Sequence, residues 1–118
     1  MAKVMIVDDS LFMRNHLSKL LARKGYQTIL AENGEQAVRN YRQNHPDAVL
    51  MDITMPRKDG LQALTEIRQF DASAKVIMLT ATDQELALTR AIHLGARDFM
   101  TKPIPPARLL AALRRALE

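Results

Sequence analysis

Three short stretches of this chain are apolar without a break, and each ends on a polar residue. Val4-Met5-Ile6-Val7 runs into Asp8, Ala48-Val49-Leu50-Met51 into Asp52, and Val76-Ile77-Met78-Leu79 into Thr80. Runs this short, bounded by turn residues, read as strands covered on both faces rather than as helices. Between them the pattern turns helical. Ser10 is placed to cap a helix carrying Met13, Leu17, Leu20 and Leu21 on one stripe, closed by Gly25 behind Arg23 and Lys24. Residues 26 to 31 read as a second strand and Asn33-Gly34 as a turn. A helix with Ala37, Val38 and Tyr41 inward follows, and His45-Pro46 stops it.

Downstream, Pro56 ends the central strand, and Lys58-Asp59-Gly60 supplies turn chemistry before a helix with Leu61, Leu64 and Ile67 on one face. Thr82-Asp83 is expected to cap a fourth helix, with Leu86 or Ala87, Leu88, Ala91 and Ile92 inward and Gly95 as its stop. Residues 97 to 100 read as a fifth strand and 101 to 106 as a rigid loop. Pro106 opens a last helix with Leu109, Leu110, Leu113 and Leu117 inward. Strand then helix, repeated to five pairs, specifies an α/β fold: a doubly wound five-stranded parallel sheet with helices on both faces and right-handed crossovers.

Composition narrows the function. The 118 residues are expected to form one domain, residues 1–118. Without cysteine there is no disulfide, thiolate metal site or cysteine nucleophile. No apolar run approaches the roughly 20 residues of a membrane span, and Lys3 leads straight into a strand with no signal-peptide pattern. The expectation is a cytoplasmic protein with no membrane insertion. The net charge of +4 is spread along the chain with acids interspersed. That reads as solvated charge, and with few aromatics and no tryptophan no direct nucleic-acid contact is expected. His16, His45 and His93 lack ligand spacing, and the methionines read as core filler.

In an open parallel sheet, ligands bind outside the carboxyl ends of the strands. Those ends carry Asp8 and Asp9, Asp52, Thr80 and, just past the fifth strand, Lys102. Carboxylate pairs at about 4 Å repel by around 4 kcal/mol at an effective dielectric of ~20, so three of them stay ionised only around a cation. Oxygen ligands without His or Cys indicate a hard ion, Mg²⁺ or Mn²⁺, which commonly shares its shell with a phosphoryl group. Lys102 and Thr80 could serve further phosphoryl oxygens, and an aspartate is a competent covalent acceptor.

Five segments carry a resemblance at this point: Val7-Asp8-Asp9-Ser10, Met51-Asp52-Ile53-Thr54-Met55-Pro56 with Asp59-Gly60, Leu79-Thr80-Ala81, Gly95-Ala96-Arg97-Asp98-Phe99, and Lys102-Pro103. In this order and spacing the chain resembles the receiver domain of two-component response regulators, most of all the single-domain chemotaxis members. The resemblance implies a flavodoxin-like (βα)5 sheet of strand order 2-1-3-4-5. It implies Asp52 as acceptor of phosphate from a histidine kinase. Asp9 and Asp52 would ligate the metal directly, Asp8 through water, and the Thr54 backbone carbonyl would complete the set. Lys102 would pair with the phosphate, Thr80 would move to bond it, and Phe99 would rotate inward. The Lys102-Pro103 peptide would be cis.

The implied readout is a changed face formed by the fourth helix, fifth strand and fifth helix, which meets an output protein or peptide. The chain would be a monomer or a weak phosphorylation-dependent dimer, with no enzymatic activity beyond its own phosphorylation and dephosphorylation. The alternative is a receiver domain cut from a longer DNA-binding regulator. An Mg²⁺-dependent aspartyl phosphatase fits less well, since the residue two after Asp52 is Thr54 rather than a second acid. A receiver used only as a scaffold is at odds with the intact acid set.

Thr54 and Thr82 stand where the resemblance puts the residues that tune self-dephosphorylation, and neither is an acid or an amide able to orient a water. A long phosphoryl-aspartate lifetime for the family is expected. Substituting Thr54→Asn should shorten the half-life of the phosphorylated protein, and an equal or longer half-life in the variant would refute this reading.

Overall fold

The computed structural model describes residues 1–81 and 85–118. Five strands alternate with five helices: β1 Lys3–Val7, α1 Leu11–Arg23, β2 Gln27–Ala31, α2 Gly34–Asn44, β3 Ala48–Asp52, α3 Gly60–Phe70, β4 Val76–Thr80, α4 Glu85–His93, β5 Asp98–Thr101 and α5 Pro106–Leu117. The strands form one parallel sheet in the order β2-β1-β3-β4-β5, as expected.

The unbroken apolar runs are explained by what covers them. Side chains alternate across a strand, so each run feeds two cores. Val4, Ile6, Leu50, Ile77 and Leu79 pack with Leu17 and Leu21 of α1 and with Leu109 and Leu113 of α5. Met5, Val7, Val49, Met51 and Met78 pack on the other side with Tyr41 of α2, Leu64 and Ile67 of α3, and Ala91 of α4. Beyond that second core, Tyr41 donates a hydrogen bond to the Asp71 carboxylate at 2.7 Å, tying α2 to the end of α3.

Helix starts follow the caps visible in the sequence. Ser10 Oγ accepts from Met13 N–H at 3.2 Å, and Asp59 forms a reciprocal capping box with Gln62. The Thr82-Asp83 cap expected for α4 lies outside the described residues. Three strand boundaries differ by one residue: the start of β2 and both ends of β5, which begins at Asp98 instead of Arg97. Gly25, at φ +87, turns the chain out of α1, and Tyr26 N–H bonds back to Leu21 O, so β2 begins at Gln27. Strand β5 runs on to Thr101 because its register pairs Thr101 with Thr80, and Lys102 N–H then donates to Thr80 O at 2.7 Å.

Helix α4 corrects one inward assignment. Its buried stripe is centred on Ala91, with Leu88 buried and Ala87 and Leu94 partly so. Ile92 is one residue on, about 100° around the helix, and is 45% exposed, while Leu86 is 84% exposed.

The close approach of α3 to the central strand is possible only at glycine. Gly60 N–H donates to Ile53 O at 2.8 Å, and a Cβ on Gly60 would stand 2.2 Å from the Asp52 carbonyl oxygen. Because the obstacle is backbone, no rotamer relieves it. Gly60→Ala should destabilise the fold by about 2–3 kcal/mol, read as a lower urea midpoint; an unchanged midpoint would contradict the packing.

Candidate functional site

Each acid is placed by the strand that precedes it. Asp52 is the last residue of β3, and Asp8 and Asp9 directly follow β1, its neighbour in the sheet. Parallel pairing sets Val7 beside Met51 and Asp52 beside Leu79. The two strand ends are therefore level, and Thr80 lies one residue beyond Asp52 on β4. The carboxylate oxygens of Asp8, Asp9 and Asp52 come within 4.8 Å of one another. Asp8 and Asp52 are buried and Asp9 is exposed.

Lys102 reaches this cluster from the loop after β5. Its Nζ donates to Asp8 Oδ2 at 3.0 Å and to Asp52 Oδ2 at 3.2 Å. The other oxygens are held by backbone: Ser10 N–H donates to Asp8 Oδ1 at 2.9 Å, and Thr54 N–H approaches Asp52 Oδ1 at 3.4 Å. Burial pushes the Asp52 carboxyl above the usual carboxylate range; Lys102 opposes that shift and the Asp8 charge adds to it. Burial pulls the Lys102 ammonium down, but its bond to Asp8 and the charges of both acids outweigh this, leaving it above its ordinary value.

Three carboxylates against one ammonium leave two negative charges uncompensated, which is the charge of one divalent cation. The donors are all oxygens, as a hard ion requires. Thr80 supplies a second sign of an incomplete polar set. Its residue is fully buried, and its Oγ1 has no hydrogen-bond partner among the described residues. Leaving a buried hydroxyl unbonded costs about 1–3 kcal/mol, so such an atom calls for a partner. The residues therefore fit a divalent cation with a phosphoryl group.

The structure brings together Asp8, Asp9, Asp52, Thr80 and Lys102. Thr54 is exposed beside Asp52, and Lys102-Pro103 is cis. Phe99 stands apart on β5, 38% exposed, and lines a groove of about 540 Å³ with Leu88, Thr89 and Ile92 of α4. It is not a core aromatic here. Thr82 lies outside the described residues. Sequence reasoning missed Arg14, whose side chain is 11% exposed and whose Nη1 donates to the Asp8 carbonyl at 2.7 Å. The available signal was a cation in the first turn of a helix, the wrong end for the helix dipole.

Residues 4–114 match the response regulator receiver domain family. The chain is 45% identical over 116 residues to the chemotaxis protein CheY of Bacillus subtilis (strain 168), covering 98% of this chain and 97% of that protein. It is 36% identical to the alkaline phosphatase synthesis transcriptional regulatory protein PhoP of the same organism, covering 97% of this chain and 49% of that protein. A chain of the CheX-CheY-BeF3-Mg²⁺ crystal structure from Borrelia burgdorferi superposes with a TM-score of 0.93 at 35% identity, covering 99% of this chain and 90% of that one.

The raised Asp52 has a consequence for stability. An acid whose pKa is higher folded than unfolded holds its proton more tightly in the native state. Stability then falls as pH rises from the unfolded value through the folded one. Asp52→Asn removes that burden and should raise metal-free stability at pH 7 by about 0.5–2 kcal/mol. The gain should shrink on acidification through that window. A variant less stable than wild type at pH 7 would contradict it.

Proposed function

The chain belongs to the response regulator receiver domain family, and from that membership we propose a phosphorylation-controlled switch whose acceptor is Asp52. The observation that carries the reading is one ammonium bridging two of three clustered acids, with a buried hydroxyl on the neighbouring strand that has no partner among the described residues. An Asp52 carboxylate oxygen attacks the phosphorus of a kinase phosphohistidine. The new P–O bond forms as the P–N bond breaks, and the imidazole leaves with the electron pair. Lys102, already against the Asp52 carboxylate, donates to the arriving phosphoryl oxygens, and Thr80 gives its hydroxyl to another. Asp8, Asp9 and Asp52, with the Thr54 backbone carbonyl, would hold Mg²⁺ or Mn²⁺. When bound, the ion would neutralise charge on the phosphoryl oxygens.

Phosphorylation adds roughly one further negative charge at Asp52. Thr80 turns toward it, and Phe99 moves inward from its exposed position on the α4–β5 groove. The altered face is α4-β5-α5, and a coupling of about 1–3 kcal/mol is enough to bias it. Arg90, Arg108, Arg114 and Arg115 are exposed on these elements and Arg97 is exposed just before β5, so an acidic or amphipathic output segment suits them. Binding of such a segment should weaken with salt and with Arg90→Ala. The protein catalyses only its own phosphorylation and dephosphorylation, and it acts in the cytoplasm. No described helix is long and apolar enough to cross a membrane.

The near-equal length of the Bacillus CheY favours a stand-alone regulator, for which a role in motility follows by analogy. The PhoP relative, about half of which the chain matches, favours the second reading, a receiver domain within a longer transcriptional regulator.

The test is intact-protein mass after incubation with Mg²⁺ and acetyl phosphate, for wild type and Asp52→Asn. A single phosphate adduct that requires Mg²⁺ and is absent from the variant is expected. No adduct in wild type that binds Mg²⁺ would refute the switch and favour a scaffold. Steady phosphate release at enzyme-like rates would favour a phosphatase.

A further inference from the structure

We propose that Arg14 is a positioning residue for the acid cluster, holding the Asp8–Asp9 peptide and thereby setting where both carboxylates stand. The inference rests on reading Asp8, Asp9 and Asp52 as a divalent-cation and phosphoryl site. Arg14 lies in the first turn of α1, where no acidic residue offsets the positive end of the helix dipole. Its side chain is nonetheless nearly buried. A charged residue that breaks a local rule and is buried all the same marks a functional or strained place.

The contacts show what it holds. Nη1 donates to the Asp8 carbonyl oxygen at 2.7 Å, a short charge-assisted bond. Nη2 lies 3.8 Å from Glu32 Oε2, in the turn after β2. Glu32 is fixed in turn by Gln36, which accepts from its backbone N–H at 3.0 Å and donates to its Oε1 at 3.3 Å. One planar guanidinium thus spans from α1 across the end of β1 to the turn after β2, which Gln36 ties to α2.

The Asp8 carbonyl belongs to the rigid peptide plane that carries the Asp9 nitrogen. Fixing that oxygen orients the plane. Asp8 has other supports, from Ser10 N–H and Lys102. Asp9 is exposed, and among the described residues no hydrogen bond holds its carboxylate. Its position comes from the peptide that Arg14 clamps.

Charge and position make opposite predictions. Removing a cation near three carboxylates should tighten Mg²⁺ binding on electrostatics alone, whereas releasing the peptide should weaken it. Groups that orient metal ligands typically contribute 10–100-fold in affinity. Arg14→Met is therefore expected to raise the Mg²⁺ dissociation constant of the full chain about tenfold. Arg14→Lys keeps the charge but replaces the fork with a single rotatable donor. It should bind about two- to fivefold more weakly, and it carries the test if Arg14→Met does not fold.

Leu20→Ala, at the far end of α1, should lower the melting temperature while leaving the dissociation constant unchanged. Equal or tighter Mg²⁺ binding in every folded Arg14 variant overturns the positioning role, as does an equal loss in Leu20→Ala. A wild type that does not bind Mg²⁺ overturns instead the cation reading on which the proposal stands, and the proposal with it.

Discussion

The ammonium of Lys102 is the contact on which the carboxyl edge of the sheet depends. It comes from the far side of the sheet, after β5, and bonds two acids that follow β1 and end β3. Without it, Asp8 and Asp52 would be two buried carboxylates in a medium that penalises each charge and their proximity. With it, two negative charges remain in excess. The bridge is therefore enough to let the fold tolerate its acids and too little to neutralise them. The residual charge suits the edge to a divalent cation, and the folded chain bears the cost of burying Asp52 beside a second acid.

The sheet makes that bridge possible without any long-range adjustment. Parallel register levels the ends of β1, β3 and β4. The pairing of β5 with β4 then delivers Lys102 one residue after Thr101, its backbone N–H anchored on Thr80 O. Thr80 thus has one tie to the site, its carbonyl holding the lysine's backbone, and a hydroxyl without a partner among the described residues.

Much of this was legible in the sequence, for a physical reason. Strands buried on both faces must be apolar throughout, so the polar residue ending each run announces itself, and the apolar pattern alone places Asp8, Asp52 and Thr80 on one edge. Strand limits were less legible at Tyr26, because the backbone bonds that close a helix claim the first residue of the next strand. Ile92 misled because an apolar residue flanking a stripe is indistinguishable from one within it. Here it lies beside Phe99 on an exposed groove instead of in the core. Arg14 was hidden for a different reason. A lone arginine in a helix reads as solvated charge, and its bond to the Asp8 carbonyl depends on the loop path. That Lys102 chooses Asp8 and Asp52 over Asp9 was likewise a matter of loop geometry.

Gly60 gives the edge a mechanical asymmetry. On the α3 side, helix and strand meet backbone to backbone at the Asp52 carbonyl, leaving no slack behind that residue. On the β4 side stands the Thr80 hydroxyl, which has no hydrogen-bond partner among the described residues. A displacement of Asp52 would therefore meet backbone on the α3 side and a side chain on the β4 side. The smallest residue available, at the start of α3, thereby fixes on which side the edge is rigid.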